Sequence, residues 1–187
     1  MNIILASKSK GRKELLNTLG LEYNTITSNA DENIKEKDPY LLVKKLSELK
    51  AKSVGEKLSD ALVVAGDLIV YHKKKIVGKP KTIEEAFQML KSMSGKRVKI
   101  IGGVAVFNTK SKSLHSDSSE AIIKFRKLSD EEIGDYIENY PVLNFAAAFD
   151  VKGIYRFAEH VSGDIGTMSG LPLNKLITML RANGVKV

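Results

Sequence analysis

The chain contains no cysteine, which excludes disulfides, thiolate nucleophiles and cysteine-bound metal. Long apolar runs are missing as well. The longest, around Ala61 to Ala65 and Val104 to Phe107, fall far short of the ~20 residues that cross a bilayer. Met1 leads straight into Asn2-Ile3-Ile4-Leu5-Ala6, too short for a secretion signal and strand-like instead, so a soluble, cytoplasmic protein with no membrane partner is expected. Neither the G-x-x-x-x-G-K-[ST] loop nor the G-x-G-x-x-G fingerprint occurs, which removes the commonest nucleotide sites. His72, His115 and His160 have no close metal-ligand spacing. Repeats, low-complexity tracts and long linkers are absent too. The 187 residues, 43% of them hydrophobic, are therefore read as a single domain, 1–187, able to bury a core.

What the chain has in excess is positive charge, 30 Lys and Arg against 22 Asp and Glu, with a pI near 9.5. Such a balance attracts nucleotides, nucleic acid and acidic membranes alike. The excess is mostly scattered lysine with no interleaved aromatics, so a solvated basic surface is favoured over a nucleic-acid groove.

Periodicity and punctuation predict a mixed α/β chain with hairpins and crossovers. Ile3 to Ala6 reads as a buried strand, Lys10 to Leu19 as a helix stopped by Gly20, and Glu22 to Thr27 as a strand before a polar loop from Ser28 to Lys37. Asp38-Pro39 supplies an N-cap and first-turn proline for a long helix to about Leu58. Ala61 to Tyr71 is strongly β-like, and the basic turn His72 to Lys75 returns it through Ile76-Val77. Thr82 and Glu85 predict a capping box for a helix through Met93, and Ser129 with Glu132 another, limited by Pro141. Val98 to Asn108 and Ala121 to Phe125 are expected to pair across the polar segment 109–119. Ala146 to Phe157 is expected to be extended, Val161 to Ser169 a loop, and Leu171 to Asn183 a helix with Pro172 in its first turn.

Four islands could carry chemistry: Leu5 to Ser9 running into Arg12, Asp31-Glu32, Ala65-Gly66-Asp67, and Gly78-Lys79-Pro80. Ser7, Lys8 and Ser9 lie between a strand and a helix, where free amides and the positive helix end favour an anion such as phosphate. Arg12 would add donors. The plainer alternative is that Ser9 only caps the helix. Asp67 interrupts an apolar strand, and a lone carboxylate there is costly unless it is paired or binds metal; a bulge at Gly66-Asp67 is the alternative. Asp31-Glu32, which in a polar loop would by itself read as surface, could together with Asp67 supply oxygen ligands for Mg²⁺, with Glu32 and Asp67 as the metal candidates. Lys79 is poised to meet phosphate, although Gly-Lys-Pro is also an ordinary turn. Lys50, on a lysine-rich helix, reads by itself as solvated.

In order and spacing these islands resemble the Maf family of nucleoside triphosphate pyrophosphatases. That family's L-A-S-x-S-P-R-R-x-E-L-L motif is matched by Leu5 to Leu16 except at Lys10 and Gly11. Lys50-Ala51, Ser94-Gly95 and Gly170-Leu171-Pro172-Leu173 match further family segments. The resemblance spans nearly the whole chain. It implies an elongated mixed sheet flanked by helices, two lobes around a cleft as in the inosine triphosphate pyrophosphatases, homodimers, and a divalent metal, Mg²⁺ or Mn²⁺. It also implies cleavage of a nucleoside triphosphate between the α and β phosphates, with Asp67 as proton acceptor and Ser7, Arg12, Glu32, Lys50 and Lys79 on phosphate, metal and substrate positions; Ser9, within the matched motif, is a further substrate-binding candidate. Gly11, Leu68 and Lys152 stand where pyrimidine-preferring members carry arginine, threonine and glutamine, and Asn144-Phe145-Ala146-Ala147 replaces the D-K-A-G segment. Two rivals are a purine-directed inosine or xanthosine triphosphate pyrophosphatase and a non-catalytic nucleotide or nucleic-acid binding protein.

Overall fold

A computed structural model describes all 187 residues. It contains seven strands, β1 (Asn2–Leu5), β2 (Asn24–Thr25), β3 (Ala61–His72), β4 (Lys75–Val77), β5 (Arg97–Asn108), β6 (Leu114–Phe125) and β7 (Ala158–Gly163). The helices are α1 (Lys10–Thr18), α2 (Pro39–Gly55), α3 (Ile83–Met93), α4 (Asp130–Asn139), α5 (Val151–Phe157), α6 (Ile165–Met168) and α7 (Leu173–Ala182), with two 3₁₀ turns at Val142–Asn144 and Ala146–Ala148. The strand order is β2-β1-β3-β5-β6-β7, with β4 on β3. β1 runs parallel to both β2 and β3, whereas β3–β4 and β6–β7 are antiparallel. The mixed α/β sheet expected from the sequence is therefore present. No helix is long and apolar enough to cross a membrane.

The chain forms two compact units, residues 1–68, 101–120 and 164–187 in the first and 69–100 with 121–163 in the second. In the first, alternation along β3 sends Leu62 and Val64 to a cluster with Leu16, Leu171 and Leu176, and Val63 and Ala65 to a cluster with Ala51 and Val54 of α2. Gly103 lets α2 approach β5, because a Cβ there would lie 2.2 Å from the Val43 carbonyl oxygen. The second unit is built around aromatics: Phe125 meets Phe149 edge-on, and Tyr136 packs against Phe157.

Helix α2 starts as expected, its Asp38 carboxylate accepting from the Tyr40 and Leu41 amides with proline next in line. Ser129 and Glu132 form the reciprocal box on α4. At α3, Thr82 accepts from the Glu85 amide, but Glu85 accepts instead from Lys81, so only half of the predicted box exists. Strand β2 is two residues rather than six. Pro172 caps α7 rather than lying in its first turn.

Three larger expectations are corrected. Residues 151–157 are helical, because Asp150 caps the amides of Lys152 and Gly153. The stretch before it coils through Ala147 and Ala148, both left-handed at φ 55° and 65°. The polar segment 114–119 is strand rather than connection, its side chains occupied by helices: Ser116 donates to Glu48, Asp117 pairs with Lys175, and Tyr40 donates to Glu120. Residues 158–163, of which 161–163 were expected as loop, pair as β7 with Ala121 to Phe125.

Glu132 ties its cap to Arg126 at 2.6 Å, and the hydrogen bond from Arg126, followed by that from the Ser129 amide, lowers its pKa from 4.5 to about 2. A depressed carboxylate stabilises the folded state above its unfolded value and loses that contribution as pH falls. Ser129→Ala should cost about 1 kcal/mol in urea unfolding at neutral pH. Between pH 4.5 and about 2, the wild-type advantage over Glu132→Gln should shrink, and a pH-independent gap between them would contradict the assignment.

Candidate functional site

Asp67 sits on β3 on the side that faces α2, and Lys50 projects from the fourth turn of that helix to meet it. The Lys50 ammonium donates to Asp67 Oδ1 at 2.5 Å and pairs with Glu32 Oε2 at 2.9 Å. Asp67 and Lys50 are buried, at 8% and 9% exposure, whereas the Glu32 side chain is 58% exposed. The carboxylate that looked out of place in an apolar strand therefore has its counter-charge, and Lys50 is not the solvated lysine that its helix composition suggested. Glu32 arrives on a loop laid along α2, where Ser28 bonds Ser53 at 2.7 Å and Lys45 bonds Glu36 at 2.5 Å. Asp31 points its carboxylate to the Asn33 amide in an exposed turn.

The first strand–helix junction lies in the same unit. Ser9 caps α1, its hydroxyl accepting from the Arg12 amide, and Ser7 Oγ accepts from the Ser9 amide at 3.1 Å. Capping and anion binding are compatible here, because the amides of Lys10 and Gly11 in the first turn still have no intrahelical acceptor. Arg12 lies back over the junction, donating from Nη1 to Ser7 Oγ at 3.1 Å and from Nε to the Gly170 carbonyl at 2.8 Å. Burial lowers the Arg12 pKa, while the charges of Asp67 and Glu32 raise it again. A guanidinium titrates so far above neutrality that it stays cationic. One N–H on Nη1 and both on Nη2 remain for a ligand.

Gly11 lies beside Ser169, its notional Cβ at ordinary contact distance, 3.5 Å, from the Ser169 carbonyl. Leu68 follows Asp67, so strand alternation turns its side chain to the other face. Lys79 and Lys152 belong to the second unit. Lys79 is exposed in the turn after β4, where the Gly78 carbonyl accepts from the Ala147 amide at 2.8 Å. Lys152 lies 5.7 Å above the Tyr140 ring, which also faces the Arg156 guanidinium. Tyr136 donates to Asp150 at 3.1 Å, and burial raises its phenol pKa.

The structure thus ties Ser7 and Ser9 to Arg12 and Lys50 to Asp67 and Glu32, with Arg12 close enough to the two carboxylates for their charges to act on it. Ser28 and Ser53, which hold the Glu32 loop to α2, went unnoticed in the sequence because two serines 25 residues apart carry no local signal. No three His, Asp or Glu side chains group as a metal cage. The two carboxylates nevertheless converge on one ammonium, and Asp67 Oδ2 is left without a protein donor. Two carboxylates plus water and substrate oxygens suit a hard divalent cation.

Free guanidinium N–H groups near paired carboxylates on a mixed α/β scaffold suit a phosphorylated ligand. This chain belongs to the Maf family: the family model described as Maf-like protein matches residues 2–183. A dTTP/UTP pyrophosphatase of Thermoanaerobacter pseudethanolicus is 40% identical over 183 residues, covering 97% of this chain and 96% of the relative. One from Thermosipho melanesiensis is 38% identical over 181 residues, covering 96% and 97%. The solved structure of the Staphylococcus aureus Ham1 protein shares the fold with a TM-score of 0.56 at 13% identity, covering 98% of this chain and 100% of that one.

Removing the lysine from this cluster should be costly. Lys50→Met leaves Asp67 buried without a counter-charge and should destabilise the chain by about 3 kcal/mol in chemical denaturation, whereas Lys50→Met with Asp67→Asn should recover much of the loss. Equal losses in the two variants would show that the destabilisation does not come from the carboxylate left unpaired.

Proposed function

We propose that the protein is a nucleoside triphosphate pyrophosphatase, cleaving the α–β phosphoanhydride of a nucleotide to a monophosphate and pyrophosphate in a house-cleaning role. The observation that carries this reading is the bridge from Lys50 to both Asp67 and Glu32. It turns an isolated strand carboxylate into part of a charged centre. Relatives near 40% identity named as dTTP/UTP pyrophosphatases support it.

In this reading Asp67 is the proton acceptor that orients the attacking water. Arg12, with three unspent N–H groups, takes non-bridging phosphate oxygens, Ser7 and Ser9 hold the α1 junction around them, and Lys50 and Lys79 balance the charge that grows on the leaving pyrophosphate. Glu32 and Asp67 would hold the divalent cation, Mg²⁺ or Mn²⁺, which supplies charge neutralisation and a more acidic water. Gly11, Leu68 and Lys152 are the residues assigned to base choice. The same reading places the protein in the cytoplasm, as a homodimer.

The basic net charge supports a second reading, a nucleotide or nucleic-acid binding protein without turnover. Against it, Asp67, Glu32 and Lys50 form the carboxylate–cation cluster that hydrolysis needs and plain binding does not. Pyrophosphate release across a panel of standard and modified triphosphates with Mg²⁺ should reveal a preferred substrate, dTTP and UTP being the first to try and inosine and xanthosine triphosphates the purine arm. Asp67→Asn should lower turnover by about a hundredfold or more, the scale of a lost general base, with circular dichroism unchanged. Near-normal turnover would remove Asp67 from the chemistry. Steeply salt-dependent oligonucleotide binding without turnover would replace the reading altogether.

A further inference from the structure

Two cations of α5 share one aromatic ring, and only one of them has a counter-charge. Arg156 and Lys152, four residues apart on one side of the helix, both lie over Tyr140, at 5.3 and 5.7 Å from the ring centre. Arg156 is paired with Asp135 at 3.1 Å, whereas no carboxylate pairs with Lys152. The ring is itself fixed: Tyr140 stacks on the buried Tyr136, with centroids 4.5 Å apart and planes inclined by 22°. Tyr136 in turn donates to Asp150 Oδ1 at 3.1 Å, and the same oxygen accepts from the Lys152 amide at 3.0 Å. Asp150 therefore holds Lys152 at both ends, the backbone directly and the ammonium through two stacked rings. An exposed ammonium kept in one place without an anion is ready for the acceptor atoms of a ligand.

We infer that Tyr140 is a positioning residue that acts through Lys152, and that the ammonium it holds favours bases carrying a carbonyl oxygen over their amino counterparts. The chemistry follows from what stands at 152. The glutamine that the resemblance puts there both donates and accepts, whereas an ammonium only donates. Uracil, thymine and hypoxanthine offer it an oxygen, while cytosine and adenine turn an amine toward it at the same place. Two donors face to face leave each other unpaired. The inference rests on the pyrophosphatase reading with Lys152 as a base-choice residue, and the test tells the two failures apart.

The probes are two substrate pairs that exchange a carbonyl for an amine, UTP with CTP and ITP with ATP, turned over with Mg²⁺ by the full chain. The readout is the ratio of kcat/KM within a pair, which does not depend on how much of a preparation is folded. Wild type should favour the carbonyl member in whichever pair it turns over. Lys152→Met should cut that ratio about tenfold, the scale of a hydrogen bond to a charged group. Tyr140→Leu should cut it about threefold, the scale of an exposed cation–π contact, whereas Tyr140→Phe, which keeps the ring, should keep the wild-type value. Added to Lys152→Met, Tyr140→Leu should change the ratio no further. Equal turnover within each pair by wild type, or an undiminished ratio in Lys152→Met, would overturn the inference and leave the pyrophosphatase reading standing. An unchanged ratio in Tyr140→Leu beside a lowered one in Lys152→Met would overturn the positioning role of Tyr140. Failure to release pyrophosphate from any triphosphate would remove that reading and the inference with it.

Discussion

A buried ammonium shared by two carboxylates sets the terms for the rest of this protein. Asp67 interrupts a strand whose neighbours from Leu62 to Ala65 are fully or almost fully buried, and such a charge persists only with a partner. Lys50 is that partner, so α2 must lie at one depth and one rotation over β3. Its second contact, to Glu32, extends the constraint to a loop that has no regular structure of its own. Helix, strand and loop are thereby tied at one nitrogen atom. A pair of well-packed apolar side chains could fill this space at least as stably. The retention of charge is understandable if the cluster exists to meet a charged ligand.

Where local physics decides, the sequence was legible. Asp38 before Pro39, Ser129 before Glu132, and the long β-branched run of β3 each carry their own stop and start signals, and the elements appear where those signals put them. Where tertiary partners decide, it was not. Residues 114–119 are polar on both sides because α2 and α7 supply Glu48 and Lys175 to them, contacts made 60 residues or so away in sequence. Residues 151–157 were obscured by β-branched and aromatic side chains, while the decisive feature was a single cap, Asp150. At the site, the residue types were visible, yet the partnership of Lys50 with Asp67 could not be read from a helix that carries lysines on several faces.

In the proposed reading, the division of labour follows from what each residue would recognise. A triphosphate tail is the same in every nucleotide, so charges and hydroxyls such as those of Ser7, Arg12, Glu32, Lys50 and Asp67 would suit any of them. A base is recognised by shape and by a few neutral hydrogen bonds, which smaller changes can redraw. Gly11 leaves room for a side chain only in contact with Ser169, Leu68 presents an apolar side chain, and the ammonium of Lys152 rests over the Tyr140 ring.

The left-handed alanines at 147 and 148 are held where they are by packing. Each is a conformation that an L-residue with a Cβ adopts at a cost of about 1–2 kcal/mol, and both are fully buried, so the surrounding side chains must outweigh that cost. The amide of the first is spent on the Gly78 carbonyl. The exposed turn that carries Lys79 is thereby anchored to a buried segment far away in the chain, and the placement of that lysine depends on the backbone of a distant alanine.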